Sequence, residues 1–145
     1  MARILIVEDD ADSRLLIRTM IEKLGHEAFA VGDGMGALGI LGVDPGELAA
    51  DVDPTVGSVF DDGEPPPTDG NWDLVLMDVV LSDLDGRDVC RQIRAAGRDV
   101  PVVAVTGLAM SGDRESCLEA GMDDYMAKPF TVDVMTDLLT AWLQG

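Results

Sequence analysis

An open parallel α/β sheet with helices on both faces is the fold this sequence predicts. Five short runs rich in Val, Ile and Leu are continuously apolar rather than alternating, which marks strands covered on both faces, the habit of parallel sheets. Segments with helical spacing separate the runs, so the order reads βαβαβαβαβα. With 145 residues, 47% of them hydrophobic, the chain is long enough for one domain with a sizeable core and short for two.

The first strand is RILIV at 3–7. Leu16, Met20, Ile21 and Leu24 then recur at helical spacing until Gly25 stops the pattern. EAFAV at 27–31 is the second strand, and a helix from Asp33 to Leu41 follows, weakened by Gly36 and Gly39. The third strand is DLVLM at 73–77, the fourth PVVAV at 101–105, and the fifth the weaker DYMA at 124–127. Helices are expected at about 86–96, 112–120 and 131–143, the last packed on the sheet through Leu138, Leu139 and Trp142.

Residues 43–71 break this rhythm with eight acids, no base and most of the prolines. Connections of this length are either functional or disordered. Asp44, Pro45 and Glu47 form a helix start, so a short helical turn is expected near 45–51, followed by a flexible acidic stretch. The stretch lacks the ligand spacing of a calcium loop and reads as a solvated insertion or a docking surface. It enters the third strand from the end opposite residue 78, so it is expected to stand apart from any chemistry there.

Twenty-eight Asp and Glu against ten Lys and Arg give a formal net charge of −18. Such a surface repels nucleic-acid phosphates and anionic lipid, and suits cations or positive protein surfaces. Cys90 and Cys117 fall in different helices without metal-ligand spacing, as reduced structural thiols do. No stretch approaches membrane-spanning length and the N-terminus lacks a signal-peptide pattern, so a cytoplasmic protein is expected. His26, the one histidine, reads as a turn residue.

In parallel α/β sheets ligands bind beyond the carboxyl ends of the strands. Glu8, Asp9 and Asp10 follow the first run, Asp78 the third, Thr106 the fourth, and Lys128 with Pro129 the fifth. Carboxylates gathered at one edge repel each other unless a positive charge sits among them. A hard divalent ion such as Mg²⁺, bound through oxygen, meets that need together with Lys128. A nucleophilic carboxylate, a metal, a lysine and a hydroxyl donor are also what phosphoryl transfer requires, and Asp78 takes the nucleophile's place. Taken singly, each residue has a plainer reading: Asp10 or Asp12 as a helix N-cap, Thr106 as a turn residue, Lys128-Pro129 as a loop.

ILIVEDD, LVLMD with its following DG, VVAVTG and YMAKPF stand in the order and spacing that resembles the receiver domains of two-component response regulators. The resemblance covers nearly the whole chain outside 43–71, and GDRESCLEAGMDDYMAKPF further resembles receivers attached to hybrid histidine kinases. It implies a flavodoxin-like, doubly wound sheet of strand order 2-1-3-4-5, as a single receiver domain over 1–145 with the insertion at about 43–71. It implies a phosphoryl group passed to Asp78 from a histidine kinase or histidine phosphotransfer protein. Glu8, Asp9, Asp78 and the backbone carbonyl of Val80 would hold Mg²⁺, Thr106 and Lys128 would bind the phosphoryl oxygens, and Tyr125 would act as a switch with Thr106. The signal would reach a protein partner at the face of the fourth helix, fifth strand and fifth helix, where a homodimer is also conceivable. Such a module is a switch that promotes its own aspartyl phosphorylation and dephosphorylation, not a turnover enzyme.

The chain departs from the family pattern at Leu81 and Ser82, where members carry Met-Pro, and at Gly107, where they carry a small side chain. Two other functions compete. A degenerate receiver would bind partners without phosphorylation, although every reacting residue type is present here. A haloacid-dehalogenase-like phosphatase would use the DAD at 10–12, but Lys128 then stands on the wrong side of its acids and Asp78 has no task.

Overall fold

Alternate residues of each strand point to opposite faces, and both faces here are apolar, so helices must cover both. The computed structural model describes residues 2–51, 71–107 and 112–143. Its elements are β1 (Arg3–Val7), α1 (Ala11–Lys23), β2 (Glu27–Val31), α2 (Gly34–Ile40), a 3₁₀ turn (Gly46–Asp51), β3 (Leu74–Met77), α3 (Gly86–Ala95), β4 (Val102–Thr106), α4 (Asp113–Glu119), β5 (Asp124–Ala127) and α5 (Val132–Leu143). The strands form one parallel sheet in the order β2-β1-β3-β4-β5, with Ile4 opposite both Ala28 and Leu74. This is the expected flavodoxin-like topology.

Ile4, Ile6, Ala28, Ala30, Leu74, Leu76, Val103 and Val105 face α1 and α5, where Ile17, Ile21, Met135, Leu138 and Leu139 complete one core. Leu5, Val7, Val75, Met77, Val102 and Ala104 face the other way, against Leu38 of α2, Val89 and Ile93 of α3 and Cys117 of α4. Both thiols are free and buried, and burial pushes the Cys90 thiol up to about 11.

The apolar stripe of α1 differs from the expected one at a single position, Leu16. Leu16 is 60% exposed, and the buried positions are Arg14, Ile17 and Ile21, with Met20 and Leu24 packed at the margin. Leu16 and Ile17 both fit the helical spacing of Met20, Ile21 and Leu24, and only the docking of the helix on the sheet selects between them. In α2, Gly36 and Gly39 are accommodated because Ala37, Leu38 and Ile40 bury their side chains, and tertiary packing outweighs intrinsic propensity. The Asp33 carboxylate caps this helix, accepting from the Gly36 N–H at 2.6 Å.

The expected turn near 45–51 is the 3₁₀ turn, held by Asp44: its carboxylate accepts from the Gly46 N–H at 2.9 Å, and its carbonyl accepts from Gln92 Nε2 at 2.9 Å. The expected flexible stretch beyond it lies outside the described residues. The chain returns at the amino end of β3, where the Asp73 carboxylate accepts from the Arg3 N–H at 2.8 Å. That is the end opposite Asp78. His26 sits between α1 and β2, its Nδ1 accepting from the Ala2 N–H at 3.1 Å. The Trp142 indole donates to Asp124 at 3.0 Å while its ring packs against the α5 side of the core. Among the described residues no helix is long and apolar enough to cross a membrane.

Candidate functional site

The carboxyl edge of the sheet is built by ladder hydrogen bonds that run one residue past the strands. Glu8 N–H donates to the Val31 carbonyl at 3.1 Å and Asp78 N–H to the Val7 carbonyl at 2.9 Å, which sets the first and third strand ends side by side. Lys128 N–H donates to the Thr106 carbonyl at 2.8 Å and draws the end of β5 in beside β4. Strand pairing thus gathers residues that lie as much as 120 positions apart in sequence.

Glu8, Asp78 and Thr106 are buried, whereas Asp9 is exposed. Carboxylate oxygens of Glu8, Asp9 and Asp78 lie within 4.8 Å of one another. Lys128 Nζ donates to Glu8 Oε2 and, at 3.3 Å, to Asp78 Oδ2. Fully ionised, three carboxylates and one ammonium leave two negative charges. Burial raises the Glu8 carboxyl to about 7, and the Asp78 charge adds to the rise against the opposing pull of Lys128. Burial would lower the Lys128 ammonium, but the hydrogen bond to Glu8 and the charges of Asp78 and Glu8 win, and its pKa is raised.

This donor set fits a hard divalent cation: three carboxylate oxygens at one mouth, residual negative charge, and neither thiolate nor imidazole among them. Val80 follows Asp78 closely, its N–H donating to Asp78 Oδ1 at 3.1 Å and its backbone pairing with Asp85. Gly86 is required where it stands, because a Cβ there would lie 2.1 Å from the Asp78 carbonyl oxygen. Tyr125 lies on β5, half-buried against the α3–α4 side of the core, with burial and then Asp113 raising its phenol.

The competing DAD motif is accounted for by helix capping. Asp10 caps α1, accepting from the Ser13 N–H at 3.0 Å and from the Ser13 hydroxyl at 2.8 Å, and Asp12 lies exposed in the first turn. Two residues that sequence reading did not single out hold the segments next to the acids of the site. Arg14 is 6% exposed, and its Nη1 donates to the carbonyls of Glu8 at 3.0 Å and Asp9 at 3.1 Å, tying down the acid pair. An arginine one turn before Ile17 and Arg18 carried no signal of its own, because only docking shows that it points inward. Asp83 is the second, tied to α2 from the loop after Asp78.

A carboxylate cluster with one lysine at the carboxyl edge of a 2-1-3-4-5 sheet defines a class, the flavodoxin-like domains that handle phosphate and metal at a topological switch point. Residues 68–140 match the family model of the response regulator receiver domain. The chain belongs to that family and is a receiver domain of two-component signal transduction. It is 30% identical to the sensor histidine kinase GacS of Pseudomonas protegens over 97% of this chain and 13% of GacS. To the sensor histidine kinase RcsC of Escherichia coli it is 29% identical over 97% of this chain and 12% of RcsC. The chain therefore spans about an eighth of the length of these relatives. Among solved structures, the receiver domain of the sensor histidine kinase PA1611 from Pseudomonas aeruginosa, with magnesium in its active-site cleft, is 34% identical at a TM-score of 0.69, over 98% of this chain and 97% of that one.

Proposed function

We propose that Asp78 accepts a phosphoryl group from a phosphohistidine carried by a histidine kinase or histidine phosphotransfer protein. One observation carries this reading: Asp78 is a buried carboxylate at the mouth of the sheet that shares Lys128 with Glu8 and lies within 4.8 Å of two further carboxylates. An Asp78 carboxylate oxygen attacks phosphorus, the phosphorus–nitrogen bond of the donor breaks, and its electron pair stays on the imidazole. Lys128 pairs with the phosphoryl oxygens as they turn from the donor, and Thr106 donates its hydroxyl to them. Glu8, Asp9, Asp78 and the Val80 carbonyl would hold Mg²⁺, which when bound neutralises the charge gathered on the phosphoryl oxygens.

Thr106 and Tyr125 then carry the change toward α4, β5 and α5, the face at which a protein partner reads it. The whole of 1–145 acts as one domain, with the acidic 43–71 segment outside the chemistry. The module is a switch without substrate turnover, and we place it in the cytoplasm, where Cys90 and Cys117 stay reduced.

Intact mass after incubation with a small acyl-phosphate donor, with and without Mg²⁺, tests the acceptor. A gain of one phosphoryl group that requires Mg²⁺ and vanishes in Asp78→Asn is expected. A gain that survives the substitution would show that another residue is the nucleophile, and no gain under any condition would favour a receiver that works by binding alone.

A further inference from the structure

We infer that Asp83 is a positioning residue for the metal-binding loop, taking over the rigidity that a proline would supply at residue 82. The inference rests on the proposed roles of Asp78 and the Val80 carbonyl. The loop 79–85 joins Asp78 to α3, and its base is closed by the Gly86 N–H donating to the Val79 carbonyl at 2.8 Å and by the pairing of Val80 with Asp85. Its apex has no such closure. Leu81 and Ser82 stand where Met-Pro would limit the backbone, and Ser82 is exposed.

From that apex the Asp83 carboxylate uses both oxygens on backbone donors 48 and 49 residues away: Oδ1 accepts from Gly34 N–H at 2.9 Å and Oδ2 from Met35 N–H at 3.0 Å. Oδ1 also accepts from the Leu84 N–H at 2.9 Å, fixing the carboxylate on its own loop. The approach depends on Gly34, because a Cβ there would lie 2.8 Å from Val89 Cγ2 and 3.2 Å from Leu84 Cδ1. Leu81 and Leu84 are each 7% exposed, so the apex is pressed onto the protein on both sides of the tie. Charge-assisted bonds to backbone N–H groups are among the strongest a side chain makes, and a helix start always has spare donors to offer. With base and apex both held, the segment presenting the Val80 carbonyl has one conformation available. Groups that orient metal ligands in this way typically control affinity by ten- to a hundred-fold.

Calorimetric titration with Mg²⁺ alone, on wild type, Asp83→Ala, Asp83→Asn and Asp44→Ala, tests this. Asp44→Ala removes another carboxylate that caps a backbone N–H, in a turn away from the site. The Mg²⁺ Kd should rise about tenfold in Asp83→Ala and by an intermediate factor in Asp83→Asn, which keeps one acceptor oxygen, and stay within about twofold in Asp44→Ala. A lowered Tm with an unchanged Kd in Asp83→Ala would reduce Asp83 to a structural cap and overturn the inference while leaving the receiver reading intact. Should Asp83→Ala fail to fold, a wild-type Kd in Asp83→Asn overturns it equally. Absence of Mg²⁺ binding by the wild type would instead overturn the metal assignment itself and this inference with it.

Discussion

The two edges of the sheet use the same residue types to opposite ends. At the amino edge Asp73 accepts from Arg3 N–H at 2.8 Å, and Asp123 accepts from Val102 N–H at 2.9 Å and from Arg94 Nη2 at 2.8 Å. At the carboxyl edge Glu8, Asp9 and Asp78 crowd within 4.8 Å, and Glu8 and Asp78 share the ammonium of Lys128. Asp78 and Glu8 also accept backbone N–H groups, from Val80 at 3.1 Å and Asp10 at 3.2 Å, but unlike the amino-edge acids they face one another and are held by the fold against their own repulsion. Excess charge left unpaired by the folded chain marks the functional edge.

The sharpest way to break this contrast is to remove one acid from each edge and compare the signs. Asp123→Ala leaves the Val102 N–H without its acceptor and Arg94 without its carboxylate, and should lower stability by about 2 kcal/mol in denaturant unfolding. Asp78→Asn, unfolded in chelator at pH 7.5, should raise stability by about 1 kcal/mol, because one of three facing charges disappears while Lys128 keeps Glu8. That gain should shrink in excess Mg²⁺, which stabilises the wild type by binding its folded state. Destabilisation by both substitutions would mean that the carboxyl-edge acids are structural too.

The smallest effect concerns the exception at the amino edge. Among the described residues the buried Trp72 indole N–H has no hydrogen-bond partner, while its ring meets Phe29 edge-on with centroids 5.6 Å apart and lies 5.7 Å from the Arg3 guanidinium carbon. Trp72→Phe keeps an aromatic ring there and removes the unsatisfied donor. Its stability should stay within about 0.5 kcal/mol of wild type, as the lost packing and the relieved polar burial offset each other. A large loss would show that the indole N–H has an acceptor after all.

Reading the sequence worked where a pattern is local. Continuous Val, Ile and Leu runs announced strands buried on both faces, and α2 to α5 fell within a residue or two of their expected bounds. The acids, threonine and lysine could be placed at strand ends because in a parallel sheet every strand ends at the same edge. In α1 the expected Met20, Ile21 and Leu24 do pack on the core, but Leu16 is exposed and Arg14 buried, because at the margin of the stripe the spacing alone does not say which neighbour turns inward.

The amino-acid sequence by itself therefore determined the order of elements, the layering of the sheet and the residue types waiting at its carboxyl edge. Tertiary structure decided which of those acids meet. Asp10 turned away to cap α1, while Glu8 and Asp78 were drawn together by the pairing of β1 with β2 and β3. It also decided that Arg14 would clamp the acid pair and that Asp83 would reach α2 across 49 residues. Propensity and hydrophobic period act within one turn or one strand, whereas a site assembled from four strand ends exists only once register and docking have set their distances.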